Sequence, residues 1–562
     1  MGIFVKSKQP PAWLKWPAAM LSGGLVGLMF APFNATFLVW IAVIPLLYAI
    51  WSVDAKTAKR RAAKGFALGY LGGVIAFGIE LFWLTEVSTL GAVLLPLYLA
   101  IFWGMFGAFA ATLGNPRRSR AKPILLALYL GAVWGGLEWL RSWLFTGFGW
   151  NGLGIAFHDT RLIAQSADLL GVTGLSMLAV FFQSAWLYSA QSSANKTTAA
   201  RTLGITAVIL AVVIGYGFWR IQSEKKRVAV PLKALLVQLN IPQEASQRLW
   251  DGLKVNLSYE DETAKAMESL KPGDAPDWVL WPESALGGEI FRTSDGEWGE
   301  WEQNTSTILN VRRGYPPFTI IYGSNEIEAE STEGQLYRKN GGHVYNALAI
   351  RSPENDLQTF HKHHLVIFGE TIPFIDSMPW LKKIYAEQAG AEWGGSFTPG
   401  DSFEPLTAQT SGGQEIGIIP SICFEDTVPR LNRRFVRSGP QVIVNVTNDG
   451  WFGESQAADQ HFNNALFRAI ELRRPMLRCA NTGVSAALDS TGSLLQPLTG
   501  KRQVLTDATG SHFTSGGLLT KVMVPLNPAT TLYATIGDWG IITVALAGFI
   551  LALVSRQQGV TD

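Results

Sequence analysis

The stretch Ile416–Asp426, IGIIPSICFED, decides how the second half of this chain is read. Ile416, Ile418 and Ile419 are β-branched and suit a buried strand. Pro420 has no N–H to give to a ladder, so the strand is expected to end near it. Cys423 then falls in a turn just past a strand end, with Glu425 two residues on. A nucleophile placed there has a rigid backbone and a side chain free to reach substrate. Most free cysteines are merely small buried apolar residues. WPES (Trp281–Ser284) and KHHLVIFGE (Lys362–Glu370) argue otherwise, because each puts an ionisable residue beside a strand-like run. A cysteine, a carboxylate and a lysine supply a nucleophile, a base and an oxyanion stabiliser.

The chain has 562 residues, more than one ordinary domain uses. Hydrophobic residues make up 48% and charged residues 16%, against about 25% charged in a typical soluble protein. With a mean hydropathy of +0.17, this composition implies a membrane protein that carries a soluble part. A net charge of +2 calls for no polyanionic partner and argues against nucleic acid. The two cysteines, Cys423 and Cys479, allow one disulfide at most. Cys423 must stay reduced to act, and Cys479, in MLRCANTG, reads as a core strand residue.

Residues 1–226 form the expected membrane domain, with seven apolar runs near 12–31, 34–52, 65–84, 90–113, 123–144, 164–191 and 203–220. An eighth run, Trp539–Val554, lies in the closing segment 529–562. More spans follow the first run, so it is not read as a cleavable signal peptide. Basic residues gather in alternate loops: Lys6, Lys8 and Lys15; Lys56, Lys59, Arg60, Arg61 and Lys64; Arg117, Arg118, Arg120 and Lys122; Lys196 and Arg201; and Arg556. The positive-inside rule then puts both termini in the cytoplasm and the soluble part outside. Lys225, Lys226 and Arg227 run against this pattern, but they front a long domain, and long domains translocate largely regardless of charge. Glu138 and Arg141 share one helix face and read as a structural ion pair, while Glu80 is expected to reach the interface. The outer loop Phe145–Phe157, rich in Gly and aromatics, reads as an interfacial belt, with the lining of a lipid entrance as the less common alternative.

From Arg227 to about 528, short β-rich runs alternate with helix-compatible stretches. Strands are expected at Ala234–Gln238, Trp278–Trp281, Thr319–Tyr322, Tyr345–Ile350, Val442–Val446 and Met476–Cys479, and helices at Leu257–Leu270 and Phe462–Leu472. Val484–Leu488 and Ser493–Leu495 are expected to form a hairpin around DSTG. This order implies layered α/β architecture with polar residues gathered at strand ends.

Glu283 follows a strand and a proline, where it would take the thiol proton and return it to a leaving group. Lys362 would favour the thiolate and stabilise the oxyanion, together with the backbone N–H of Phe424. Glu370 and Glu425 are candidates to orient or balance Lys362. His361, His363 and His364 match no zinc-ligand spacing, so neither metal nor cofactor is expected.

A carboxylate after a strand, a distant lysine and a cysteine with Glu two residues on resemble the nitrilase, or carbon–nitrogen hydrolase, superfamily. More specifically the chain resembles the apolipoprotein N-acyltransferase family of bacterial inner membranes. The resemblance rests on VQLNIPQ (Val237–Gln243), WPESA, YNALAI (Tyr345–Ile350), KHHLVIFGE, SICFED, NVTNDGWFG (Asn445–Gly453) and ELRRPMLRCANTG (Glu471–Gly483), with EWLR and GFGW in the membrane half. Phe424 stands where family members often carry Tyr, and the tryptophan after IPQ lies further on, at Trp250.

The resemblance implies an eight-span α-helical membrane domain plus an α/β nitrilase-like αββα sandwich on the periplasmic side of the inner membrane. It implies a Glu–Lys–Cys triad at Glu283, Lys362 and Cys423. It also implies ping-pong transfer of an acyl chain from a phospholipid, commonly phosphatidylethanolamine, through a Cys423 thioester. The acceptor would be the amine of a diacylglyceryl-cysteine lipoprotein. Trp250, Tyr345, Asn346, Trp380, Asn448 and Trp451 are candidate substrate contacts. The insertion Pro373–Gly400, with Phe374, Met378, Trp380, Leu381 and Tyr385, reads as an apolar lid, and Asp449–Gly453 as a second mobile arm. Two rival readings are a membrane-anchored amidase, in which water replaces the amine, and a transporter or scaffold with an inert domain.

Overall fold

An apolar run becomes a membrane helix only if about 20 residues stay helical. In the computed structural model of the chain, five helices among the described residues are long and apolar enough: Ala58–Glu80, Thr89–Ala111, Pro123–Arg141, Ala167–Gln191 and Lys196–Lys225. The other three expected runs hold shorter helices. Run 12–31 contains Lys15–Gly27, run 34–52 splits into a 3₁₀ turn (Thr36–Trp40) and the helix Ile44–Trp51, and the last run gives Asp538–Val554. Pro45 sits in the first turn of Ile44–Trp51, where a missing N–H costs nothing, and so restarts the helix there. The residues described are 11–191, 196–242, 252–367, 369–372, 380, 383, 395–496 and 499–556.

The chain divides into two units. One comprises Met1–Lys226, Asp459–Leu472 and Thr530–Asp562; the other comprises Arg227–Ala458 and Arg473–Ala529. Most of the helix Ala457–Leu472, which lies inside the soluble stretch of sequence, therefore groups with the apolar helices. Gln460 explains why. Its Oε1 accepts from the indole N–H groups of Trp83 (3.1 Å) and Trp150 (2.8 Å), and its Nε2 donates to the carbonyls of Ala31 (2.8 Å) and Glu80 (3.1 Å). A buried amide with both donors and both acceptor positions used is held in one orientation. Trp150 is thus an internal packing residue, whereas Phe145 in the same loop is exposed.

Glu138 and Arg141 do not form the expected ion pair. Glu138 Oε1 instead accepts from Trp134 Nε1 (2.8 Å) and Leu153 N (3.0 Å). The Arg141 guanidinium lies 5.1 Å from the centre of the Phe77 ring, a cation–π contact. Glu80 is buried and does not reach the interface; with Glu138 and Arg141 it lines a small cavity of ≈ 20 Å³.

In the second unit, β-branched and aromatic runs form the strands. They are β1 (Ala229–Gln238), β2 (Trp278–Leu280), β3 (Ile290–Arg292), β4 (Trp298–Glu300), β5 (Thr319–Thr332), β6 (Gln335–Arg338), β7 (Val344–Arg351), β8 (Leu357–His361), β9 (Leu406–Gln409), β10 (Glu415–Ile422), β11 (Gln441–Thr447), β12 (Met476–Ala480), β13 (Ala486–Leu488) and β14 (Gly516–Pro525). One sheet runs β14-β1-β2-β5-β3-β4, with β7 and β8 added through β5; the other runs β13-β12-β11-β10-β9. The Cys479 thiol, on β12, donates to the carbonyls of Val237 (3.4 Å) and Leu280 (3.3 Å) on the other sheet, so this cysteine is core. The expected hairpin around DSTG is a turn, with Asp489 N donating to Ser493 O (2.9 Å). Beyond it Leu495 only bridges to Arg502, and Gln503 pairs back to Ala487.

The helices Ala58–Glu80 and Thr89–Ala111 approach closely at glycines. A Cβ on Gly107 would stand 2.1 Å from the Gly65 carbonyl oxygen. Gly107→Leu is therefore expected to destabilise the protein by about 1–3 kcal/mol through overpacking. Gly204→Leu, where a Cβ meets nothing within 4 Å, is expected to be near neutral. Thermal unfolding in detergent checks both, and equal melting temperatures would refute the packing account.

Candidate active site

β10 carries Cys423, and it does not stop at Pro420. It continues to Ile422, because β9 pairs only with Glu415–Ile418 and leaves no ladder on that side for Pro420 to break. Cys423 follows at once with φ +51°, a left-handed conformation that costs a non-glycine residue energy and concentrates at functional sites. Two contacts hold this turn. Asn445 Nδ2, on β11, donates to Cys423 O (3.2 Å) and Ser421 Oγ (3.2 Å). The buried Glu425 side chain reaches back, with Oε2 accepting from Ile422 N (2.8 Å).

Glu425 also joins the turn to the end of β8. Its Oε1 accepts from the backbone N–H groups of His363 (2.7 Å) and His364 (3.0 Å), the two residues after Lys362. Lys362 itself is 1% exposed. Its Nζ lies 2.8 Å from Glu370 Oε1 and 3.5 Å from Glu283 Oε1. Glu283 leaves β2 through the WPES turn, and Ser284 after it has φ +52°. Asn346, on β7, donates through Nδ2 to Glu283 Oε1 (2.8 Å) and Glu370 Oε1 (2.8 Å). Asn448 N donates to Glu283 Oε2 (3.0 Å), and Val366 N to Glu370 Oε2 (2.9 Å). Both carboxylates are thus oriented by neutral donors as well as by the ammonium.

The electrostatics follow from burial and charge. Burial works against the Lys362 ammonium, but Glu370 and Glu283 outweigh it and hold its pKa above the ordinary lysine value. Burial also disfavours the Glu370 carboxylate, and Lys362 overcomes this and pulls its pKa below the usual range. Burial pushes the Cys423 thiol up; Glu283 adds to this, and Lys362 opposes it. Burial raises Glu425 to about 7, against its backbone donors.

Of the candidate substrate contacts, Asn346 lies at the centre of this cluster. Tyr345 stacks on His361, with centroids 4.0 Å apart. The Asn448 side-chain oxygen accepts from Gly450 N (3.1 Å) and Asn481 Nδ2 (3.1 Å). Trp380 and Trp451 are exposed. Trp250 lies outside the described residues, as do Phe374, Met378, Leu381 and Tyr385. The Phe424 ring stacks on His364. His361 Nε2 lies 3.0 Å from Glu326, and His363 Nε2 lies 2.9 Å from Ser402 O. Among the described residues, no group of three His, Cys, Asp or Glu could hold a metal ion.

Sequence reasoning missed Arg478, a fully buried charge that meets Asp426 and Asp449 beside the Cys423 turn. The signal was present: an arginine inside the apolar strand MLRCA needs buried acids to pair with.

Comparison with known proteins bears on the family of the chain. Residues 22–185 match the apolipoprotein N-acyltransferase N-terminal domain, and residues 236–508 match the carbon–nitrogen hydrolase domain. An apolipoprotein N-acyltransferase of Geobacter metallireducens is 32% identical over 495 residues, 85% of either chain. One of Rhodopseudomonas palustris is 29% identical over 572 residues, covering 97% of this chain and 96% of the relative. One of Agrobacterium fabrum is 30% identical over 510 residues, covering 87% and 88%. With a nitrilase-like domain following several membrane-length apolar helices, the chain belongs to the apolipoprotein N-acyltransferase family, a family of membrane acyltransferases.

Proposed function

We propose that this protein transfers an acyl chain from a phospholipid to the N-terminal amine of a diacylglyceryl-cysteine lipoprotein, through a thioester on Cys423. The observation that carries the reading is the buried Glu283–Lys362–Glu370 cluster, with Cys423 within its electrostatic reach. Two carboxylates and one ammonium leave net negative charge beside the sulfur, so the resting thiol keeps its proton. Attack on the ester carbonyl is then coupled to proton transfer from Sγ to Glu283. The S–C bond forms, and Lys362 and the Phe424 N–H stabilise the oxyanion. As the C–O bond breaks, Glu283 returns the proton to the departing lysophospholipid oxygen. The lipoprotein amine then attacks the thioester, loses a proton to Glu283 and expels the Cys423 sulfur, which regains that proton. Splitting one transfer into two replaces a hard direct aminolysis with two lower barriers.

The donor is read as phosphatidylethanolamine. The chain is read as an eight-span protein of the bacterial inner membrane, with both termini cytoplasmic and an αββα sandwich in the periplasm. The alternating basic loops support this orientation. Glu425 is read as the strut that keeps Lys362 and Cys423 in register. Tyr345, Asn448, Trp451, Trp380 and Trp250 are read as lining the substrate path.

Incubation with phospholipid in the absence of acceptor is expected to add one acyl chain to the mass of the purified protein. The adduct should map to Cys423 and be absent in Cys423→Ala. Ammonia release from short amides without any such adduct would instead favour an amidase. Asn346→Ala removes a donor from both carboxylates, at a cost of about 1–3 kcal/mol. Acyl-adduct formation should therefore slow by roughly 10- to 100-fold in single turnovers, and an unchanged rate would remove Asn346 from the machinery.

A further inference from the structure

The small cavity among the apolar helices is lined by polar groups that the protein itself does not satisfy. Glu80, Arg141 and Asn151 line it and are 2%, 3% and 4% exposed. Glu80 Oε2, Arg141 Nε, Arg141 Nη1 and Asn151 Nδ2 have no hydrogen-bond partner among the described residues. Two nearby acceptors are already engaged. Glu138 Oε1 accepts from Trp134 Nε1 and Leu153 N, and Asn151 Oδ1 accepts from Asn464 Nδ2 (3.1 Å). Much of the remaining wall is apolar, with Phe77, Phe102, Phe106 and Leu137 in it. The guanidinium lies over the Phe77 ring, a contact with a ring face that does not use up its N–H groups. A bilayer offers no outside water to these helices. An ionisable side chain there needs a partner within the protein or water in a cavity.

We propose that this cavity is a binding site for one water molecule, which joins Glu80, Arg141 and Asn151. Size sets the first limit. A water needs about 10–15 Å³, and the cavity measures ≈ 20 Å³, which excludes a lipid headgroup or an acyl chain. Charge sets the second limit. Two carboxyl groups and one guanidinium stand on the wall, so an anion would face the carboxylates and a metal cation would face Arg141. A neutral molecule that both donates and accepts suits this mixture. Water would accept from a guanidinium N–H and from Asn151 Nδ2, and donate to Glu80 Oε2, the usual three or so bonds of a buried water. Glu80 ends the helix Ala58–Glu80, and Arg141 ends Pro123–Arg141. Asn151 reaches Asn464 on the helix Ala457–Leu472. The water thus joins the ends of two apolar helices to a loop residue that holds a third. Gln460 on that third helix fixes the Glu80 carbonyl directly, so the same helix end is held twice, once by an amide and once through water.

The test is a crystal structure of the whole chain grown in bromide, at a resolution that shows ordered water. The expected result is one peak in the cavity, about 2.7–3.2 Å from Glu80 Oε2, Asn151 Nδ2 and an Arg141 nitrogen, without the anomalous signal of bromide. A bromide signal there, no peak where other buried waters are ordered, or a peak that touches only one of the three side chains overturns the proposal. A second measurement needs no crystals. Glu80→Met removes the acceptor and Asn151→Ala the amide donor, and thermal unfolding in detergent compares both single variants with the double. Groups that share one partner are coupled, whereas independent groups add. The double variant is therefore expected to lose less in melting temperature than the two single losses combined, and simple additivity overturns the shared water. The Asn151–Asn464 bond is lost in both variants that carry Asn151→Ala, so it cancels in the comparison. Neither readout involves acyl transfer, so the result stands apart from that of the acyl-adduct experiment.

Discussion

The site is arranged around one buried ammonium. Lys362 is nearly inaccessible to water, and such a charge is stable only where opposite charge surrounds it. Glu370 and Glu283 provide that charge from separate segments, and Asn346 and two backbone N–H groups fix the carboxylates in turn. Moving any one of these segments would leave a charge unpaired in a low-dielectric interior. These candidate groups therefore hold each other in place.

The same logic of obligatory partners runs through the apolar unit, with different chemistry. There, amides and indoles serve as ties beside buried ion pairs such as Arg220–Asp168 (2.7 Å) and Arg468–Glu471 (2.8 Å). Gln460 engages two tryptophans and two carbonyls from distant parts of the sequence. Its helix lies, in sequence, between Asn448–Asp449 and Arg478, which gather at the candidate site. The helix Ala457–Leu472 belongs in part to each unit.

Much of this was legible from residue order. Cys423, Glu283 and Lys362 announced themselves as ionisable or nucleophilic groups at the ends of β-branched runs. Strand ends are where a rigid ladder stops and side chains become available. The path of β10 through Pro420 was not legible, because it depends on where β9 ends, and that is a fact of pairing. Glu138 and Arg141 were misread for a related reason. Helical spacing makes two side chains neighbours, but Trp134 and the Leu153 N–H claim the carboxylate first. Arg478 went unassigned because its partners, Asp426 and Asp449, come from two other segments. Helices of 13 and 17 residues, Lys15–Gly27 and Asp538–Val554, show that an apolar run fixes hydrophobicity more firmly than helix length.

If Lys362 is the keystone, removing its charge should do more harm than removing it together with a carboxylate it balances. The direct measurement is a double-mutant cycle in equilibrium or thermal unfolding, comparing Lys362→Met, Glu370→Gln and the double variant. The single Lys362→Met change should cost about 3–5 kcal/mol, the usual effect of breaking a buried pair from one side. The double variant should recover a substantial part of that loss. If Lys362→Met leaves stability unchanged, or if the two losses simply add, the buried-ammonium account is contradicted.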